Sequence, residues 1–362
     1  MELEGQIKAI EEELKRTPYN KATQHHIGKL KAKLAKLRAA KEKFKVKRRK
    51  TRAGIRKCGN ATIGLIGYPN VGKSTLLNEL TNAKSSVGEY EFTTLSVVPG
   101  MLDYKGAKLQ ILDLPGLISG ASKGRGRGGE IISVVRILDL AILMLDCQHL
   151  EQLDIILEEL YNAGVRLNSK PPDIVITKKP TGGITVSSTV KLTKLDERLV
   201  TAILQEYGYV NADVIIREDV DEEQLIDFIA GNRAYVKCFV VVNKIDMMKD
   251  SFQYSKIKDL DVVAISAKQK IGIEELKSKI FSTLEFIRVY LKLPEVGVDY
   301  KRPLVIKRNS TVEQVCDIIH KDFKEKFKYA LVWGASAKFE GQRVGLGHML
   351  KDGDVLSIVV TK

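Results

Sequence analysis

The run "ATIGLIGYPNVGKST", residues 61–75, decides how the rest of the chain is read. Its first six residues are small or apolar and suit a strand buried on both faces. The next nine, Gly67, Tyr68, Pro69, Asn70, Val71, Gly72, Lys73, Ser74 and Thr75, fit the spacing G-x-x-x-x-G-K-[ST]. Glycines at the first and sixth positions let the backbone wrap until successive N–H groups point inward at a phosphate. "STLLNELTNA" then predicts a helix whose N-terminus adds its dipole to the same anion. In such a loop Lys73 bridges β- and γ-phosphates and the Ser74 oxygen ligates Mg²⁺.

Three further stretches complete the site. "LQILDLPG" predicts a strand ending in Asp113, whose carboxylate can hold Mg²⁺ through a water, followed by Gly116, whose N–H can sense the γ-phosphate. "VVVNKIDMM" places Asn243, Lys244 and Asp246 after another buried strand. A carboxylate at Asp246 can accept from guanine N1–H and the guanine amino group, a pair adenine cannot offer, so this element selects GTP over ATP. "ISAK" puts Ser266, Ala267 and Lys268 after the next strand, with the Ala267 N–H available to guanine O6. A permissive second match, "TKLD" at Thr193–Asp196, closes no buried strand and reads as a helix start. Between loop and DLPG lies "SVGEYEFTTLSVVPG", where Phe92, Thr93 and Thr94 are candidates and either threonine could close on Mg²⁺.

The position after DLPG is Leu117, where many GTP hydrolases carry a water-orienting glutamine. An apolar side chain cannot orient water, so a slow intrinsic rate is expected. The glycines from Gly120 to Gly129 read as a hinge-rich switch rather than an RNA-binding tract. Arg125 and Arg127 within it could touch phosphate, another domain or a partner.

Working outward, "KLQIL" (108–112), "LAILML" (140–145), "CFVVV" (238–242) and "VVAI" (262–265) join residues 61–66 as buried strands of a parallel α/β sheet. About ninety residues separate the third from the fourth strand of this set, far more than a crossover needs. The helix "EQLDIILEELYNAG" (151–164) supplies the crossover, and the excess reads as a small inserted α/β domain over 165–233. The parts of the nucleotide domain are then 58–164 and 234–290. After "ELKSKIFSTLEFIRVYL" comes the linker "PEVGVDYKRP", and 291–362 reads as a β-grasp module, with Trp333 expected in its core rather than as a base-stacking platform.

The N-terminal 57 residues hold 19 Lys and Arg against 6 Asp and Glu, a net of +13 in a chain of net +14. Leu3, Ile7, Ile10 and Leu14 form one helical stripe; Ile27, Leu30, Leu34, Leu37 and Phe44 form a second, heptad-like one. With "TPYN" between them they predict a basic helical hairpin over 1–57. One-sided charge of this kind points to a polyanion such as RNA, with a solvated helix face as the plain alternative. The 362 residues suffice for two or three domains. The four cysteines are far apart, which argues against zinc and suits a reducing, cytoplasmic setting. The N-terminus lacks the apolar core of a signal peptide, and no apolar run spans a membrane.

Together "GYPNVGKST", "FTTL", "DLPGLI", the glycine-rich switch, "HHIGKLKAKLAKLRAA" and the tail "FEGQRVGLGHMLKDGDVLSIV" resemble the Obg-related GTPases, nearest the developmentally regulated GTP-binding (DRG) family. The likeness covers nearly the whole chain. It implies a P-loop GTPase core, an insertion of ribosomal-protein-like fold, a helical hairpin and a C-terminal TGS domain. It also implies slow hydrolysis of GTP to GDP, association with ribosomes and a regulatory protein partner, which in eukaryotic members is a zinc-finger protein. By alignment Thr94 rather than Thr93 binds Mg²⁺. The likeness further gives Asn70 a part in holding K⁺ beside the phosphates, although it could merely stabilise the loop turn. A monomer is expected. The reading is thus a slow, K⁺-stimulated GTPase switch on the translation machinery. The alternative is an RNA- or ribosome-binding scaffold in which GTP is a structural ligand.

Overall fold

The computed structural model describes residues 2–18, 20, 23–48, 57–81, 98–114, 134–248, 255–293 and 297–361. Its elements in chain order are α1 (Glu2–Arg16), α2 (Gln24–Arg48), β1 (Ala61–Ile66), α3 (Lys73–Leu80), β2 (Val98–Tyr104), β3 (Ala107–Asp113), β4 (Leu140–Asp146) and α4 (Gln152–Asn162). Then come β5 (Val165–Leu167), β6 (Ile174–Lys178), β7 (Ile184–Ser188), α5 (Glu197–Glu206), β8 (Ala212–Ile216), α6 (Glu222–Ala230) and β9 (Ala234–Asn243). The last stretch holds β10 (Lys256–Ile257), β11 (Leu260–Ala264), α7 (Ile273–Thr283), β12 (Phe286–Leu293), β13 (Gly297–Val298), β14 (Leu304–Lys307), α8 (Val312–Ile319), α9 (Lys321–Glu325), β15 (Phe327–Trp333), β16 (Gln342–Val344) and β17 (Val355–Val360).

The chain divides into two compact units, one of residues 1–53 with 164–235 and one of 54–163 with 236–362. In the first, α1 and α2 pair through Ile10, Leu30 and Leu34, with Ile7, Leu14 and Leu37 against them. The opposite side of α2 packs on the inserted residues. Ala32 is fully buried in a core with Leu199, Val200, Ile203 and Val214, and Lys31 pairs with Glu222 at 2.5 Å and with Glu223 at 3.0 Å. The basic hairpin is therefore not a free arm, and part of its charge is spent inside the protein. Phe44 and the "KFKVKRRKTR" charges lie outside what is described of side chains.

The insertion is a three-stranded sheet, β6-β8-β7, with β8 alternating buried and exposed residues. A sheet buried on one face needs that period, and α5 and α6 cover the face. Asp196, the last residue of "TKLD", caps α5 by accepting the Leu199 N–H at 2.7 Å. At the foot of the insertion Asp227 accepts from Arg166 Nε and from Arg233 Nε, each at 2.5 Å, while Ala234 N–H bonds the Gly164 carbonyl at 3.0 Å.

In the second unit the strand order is β10-β11-β9-β4-β1-β3-β2. β1 and β4 are parallel, and β1 is buried throughout. β2 is an antiparallel edge strand that the sequence, with Pro99 and Gly100, had hidden; edge strands tolerate such residues. The other sheet runs β13-β12-β17-β15-β16, with β14 on β12, and α8 covers one face through Val312, Val315 and Cys316.

Two sequence expectations need correction. The boundary placed between 290 and 291 falls inside β12, which pairs with β14 and β17. The run "FIRVYLKL" follows a helix and is apolar, so length alone could not separate strand from helix continuation. Trp333 is not in the core. It is half-buried on the sheet face opposite α8, with the Lys292 ammonium 4.3 Å from its ring centre.

Candidate nucleotide site

The C-terminal ends of β1, β3, β4, β9 and β11 form the rim of one crevice. β3 and β4 flank β1 on opposite sides, and a crevice at that reversal is where open parallel sheets bind ligands. It is an open cavity of about 730 Å³ lined by Asn70, Gly72, Lys73, Ser74, Thr75, Asn243, Lys244, Asp246, Met247, Ser266, Ala267 and Lys268. Small-molecule pockets span roughly 300–1,000 Å³.

The loop's glycines are there for close approach. A Cβ on Gly67 would lie 2.4 Å from the Met144 carbonyl oxygen. Gly72 has φ +95°, and its Cβ would meet Asn243 Nδ2 at 2.3 Å. Asn70 also takes a left-handed φ of 65°. α3 then begins at Lys73, so its free N–H groups open towards the cavity. The Lys73 ammonium, in a side chain only 8% exposed, donates to the carbonyls of Gly67 at 3.1 Å and Tyr68 at 2.9 Å. Burial lowers its pKa below the ordinary lysine value, and the Asp113 carboxylate partly offsets this. Burial likewise raises the Tyr68 phenol, aided by Glu159.

Beside it Ser74 Oγ donates to Asp113 Oδ2 at 2.5 Å. A hydroxyl and a carboxylate oxygen at a helix N-terminus are the hard donors Mg²⁺ prefers, and Mg²⁺ completes such a sphere with phosphate and water. The donor set fits that ion. Among the described residues no group of three or more His, Cys, Asp or Glu could hold a metal, so an ion here relies on oxygens the ligand brings.

On the base side Asn243 is 3% exposed. Its Nδ2 donates to the Val71 carbonyl at 2.8 Å and its Oδ1 accepts the Ala267 N–H at 3.0 Å. Lys244 sits at φ 66° and its ammonium bonds Asp146 Oδ2 at 2.7 Å. Burial alone would push the Asp146 carboxyl up; the Lys244 ammonium and the Gln148 N–H outweigh it and hold it below the usual range. Asp246 and Lys268 are exposed at the mouth. Ser266 is fully buried and its Oγ accepts the Gln269 N–H at 3.1 Å, fixing the turn that carries Ala267.

Of the residues named from the sequence, Asn70, Gly72, Lys73, Ser74, Thr75, Asn243, Lys244, Asp246, Ser266, Ala267 and Lys268 line one crevice, and Asp113 bonds Ser74 beside it. Phe92, Thr93, Thr94, Gly116, Leu117, Arg125 and Arg127 lie outside the described residues. Sequence reasoning passed over Asp146 and Met247. Asp146 could have been found: it closes "LAILMLD", whose strand lies in register beside the one ending in Asn243.

Residues 62–178 match the family described as "50S ribosome-binding GTPase", 181–286 match the C-terminal region of that domain, and 287–360 match the TGS domain. Over its full length the chain is 52% identical to an uncharacterized GTP-binding protein of Methanocaldococcus jannaschii, covering 94% of that protein. It is 43% identical to the developmentally-regulated GTP-binding protein 2 homolog of Dictyostelium discoideum and to developmentally-regulated GTP-binding protein 2 of Homo sapiens, in each case over 98% of both chains.

Proposed function

The chain belongs to the family of developmentally regulated GTP-binding proteins, GTPases with a C-terminal TGS domain, and on that premise we propose that it hydrolyses GTP to GDP and phosphate slowly and acts as a switch on ribosomes in the cytoplasm. One observation carries the hydrolytic reading: the buried Lys73 ammonium stands beside the Ser74–Asp113 pair at the start of α3. Lys73 is held by weak carbonyl partners of its own loop, so it can turn to β- and γ-phosphate oxygens without losing a strong ion pair. Ser74 and Asp113 would hold Mg²⁺, which would supply charge neutralisation on the phosphates. Thr94 and Gly116 are the residues assigned to the γ-phosphate, and Asn70 would help hold K⁺, which would supply positive charge beside the phosphates. Asp246 and the Ala267 N–H choose guanine. With Leu117 in place of a glutamine, catalysis relies on backbone, cation or an outside group to orient the water, which supports a slow intrinsic rate.

The ribosome reading is supported by the description of the matching family as ribosome-binding and by the charge of residues 1–57. A regulatory protein partner is part of the same reading. No described helix is long and apolar enough to cross a membrane. Single-turnover assays with radiolabelled GTP test the enzyme: phosphate release above the uncatalysed rate, abolished by Lys73→Ala, is expected. Tight GTP binding with no release would instead favour a scaffold that uses GTP as a structural ligand. Competition by ATP decides base choice.

A further inference from the structure

Lys244 lines the crevice but does not present its charge to it. It is a non-glycine residue at φ 66°, in the left-handed region, and such a conformation persists only where its surroundings hold it. Its neighbours do so. The Met247 N–H and the Cys147 thiol both donate to its carbonyl, at 2.9 and 3.2 Å, and its ammonium bonds Asp146 Oδ2 at 2.7 Å. Asp146 is itself fixed at the end of β4, where its Oδ1 accepts the Gln148 N–H at 3.1 Å and its side chain is 13% exposed. Asp146 is not among the residues that line the crevice. The lysine therefore offers the crevice its methylene stem and carries its charge away from it.

Asp246 stands two residues further on, within a single 3₁₀ turn over Ile245–Met247. It lines the crevice, is exposed, and makes no ion pair among the described residues. Burial raises the Cys147 thiol, and the carboxylates of Asp146 and Asp246 both add to the rise, so the two acids flank the same turn. Of the other lysines lining the crevice, Lys73 is held by its own loop carbonyls and Lys268 is exposed at the mouth. A carboxylate reads the N1–H and the amino group of guanine only while both its oxygens are free to accept. A lysine ammonium on a flexible four-carbon stem, loose beside it, would occupy the same oxygens. In a partly shielded crevice that pair would be stronger than on an open surface, and guanine would have to break it to bind. We propose that Asp146 is a positioning residue for base selection: by holding the Lys244 ammonium it keeps the Asp246 carboxylate free for guanine. The inference rests on the part given to Asp246 in base choice and adds the acid that protects it.

Inosine diphosphate lacks the 2-amino group of guanine, so the ratio of GDP to IDP affinity reports how fully Asp246 is engaged. Both affinities are measured on the full-length protein with Mg²⁺, by competition against a fluorescent GDP. One lost hydrogen bond to a charged acceptor should give the unaltered protein a preference for GDP of at least about tenfold. In Asp146→Asn the preference should shrink to about threefold or less, because the released ammonium sits on Asp246. Adding Lys244→Met should restore it, since no ammonium is left to compete. Both nucleotides are measured on one preparation, so a smaller folded fraction cancels from the ratio. Should Asp146→Asn fail to fold, Asp146→Ser carries the same expectation, with a hydroxyl that can still accept the Gln148 N–H. An unchanged preference in the single variant, or one that Lys244→Met does not restore, would overturn the proposal and leave guanine reading by Asp246 intact. No preference for GDP in the unaltered protein would overturn that reading and the proposal with it.

Discussion

Asn243 Nδ2 donates to the Val71 carbonyl at 2.8 Å, so a residue of the base-recognition strand holds the phosphate loop in place. Its other amide atom, Oδ1, fixes Ala267. One buried side chain thus sets the spacing between the phosphate end and the base end of the crevice. Asn243→Ala leaves a buried carbonyl and a buried N–H without their partner, at about 1–3 kcal/mol each. GDP affinity measured by calorimetry should fall at least about tenfold. Asn243→Asp keeps the acceptor for Ala267 but sets a carboxylate against the Val71 oxygen, so it should not rescue.

Gly67→Ala and Gly72→Ala should differ in kind. The first drives a methyl into the backbone oxygen of Met144, which cannot move without shifting β4, so thermal unfolding should show a loss of roughly 3 kcal/mol or more. The second meets the Asn243 side-chain amide at an unfavourable φ. Its strain is about 1–3 kcal/mol, and its larger effect should be on nucleotide affinity. Equal stability losses in both variants would contradict this distinction.

The Asp146 carboxyl sits below its ordinary pKa because the Lys244 ammonium and a backbone N–H overcome its burial. A carboxyl depressed by folding contributes stability above its unfolded pKa near 3.9, and loses it as pH falls through the depressed folded value. Lys244→Met removes the main favourable partner and leaves burial to raise the carboxyl. The melting temperature of the wild type should exceed that of the variant most at pH 6–7, and the gap should narrow as pH drops towards 3. A gap that is constant with pH would show that the ion pair is not its source.

Ala32 is fully buried against the inserted residues. Ala32→Glu places an unpaired carboxylate there and should cost about 3 kcal/mol or more. Deleting residues 1–57 would therefore strip a core as well as a charge, and it is the wrong test of RNA binding. Lys29→Gln with Lys33→Gln alters exposed positions of the same helix. Stability should hold within about 0.5 kcal/mol. If the hairpin meets double-helical RNA, the salt slope of ribosome binding should fall by about 2.

Turnover should be faster in K⁺ than in Na⁺ at equal ionic strength, and Asn70→Ala should erase the difference. Identical rates in the two salts for the unaltered protein would remove Asn70 from the cation's coordination.

Much of the nucleotide unit was legible because its strands have no choice of composition. A strand buried on both faces must be an unbroken apolar run, and the loops that follow must carry glycine, lysine and carboxylates at fixed spacing. What stayed hidden depended on long-range pairing. Lys31 reads as one more surface charge until Glu222, far along the chain, closes on it. "YALVWG" predicts a strand, but only the placement of α8 shows which alternate residues lie beneath it and that Trp333 is not among them. "VPGMLDY" is not among the predicted strands, because the sequence does not announce that a strand is at a sheet's edge.

The clasp at Asp227 has a bearing on the history of this architecture. Arg166 and Arg233 grip the same carboxylate from the two sides of the insertion, and Gly164 and Ala234 are joined by a single hydrogen bond. A domain that leaves and re-enters its host at neighbouring points makes no demand on the host's spacing. As a graft it has a single node, but the hairpin formed by α1 and α2, encoded upstream, shares its core, so the scion cannot be exchanged without the hairpin.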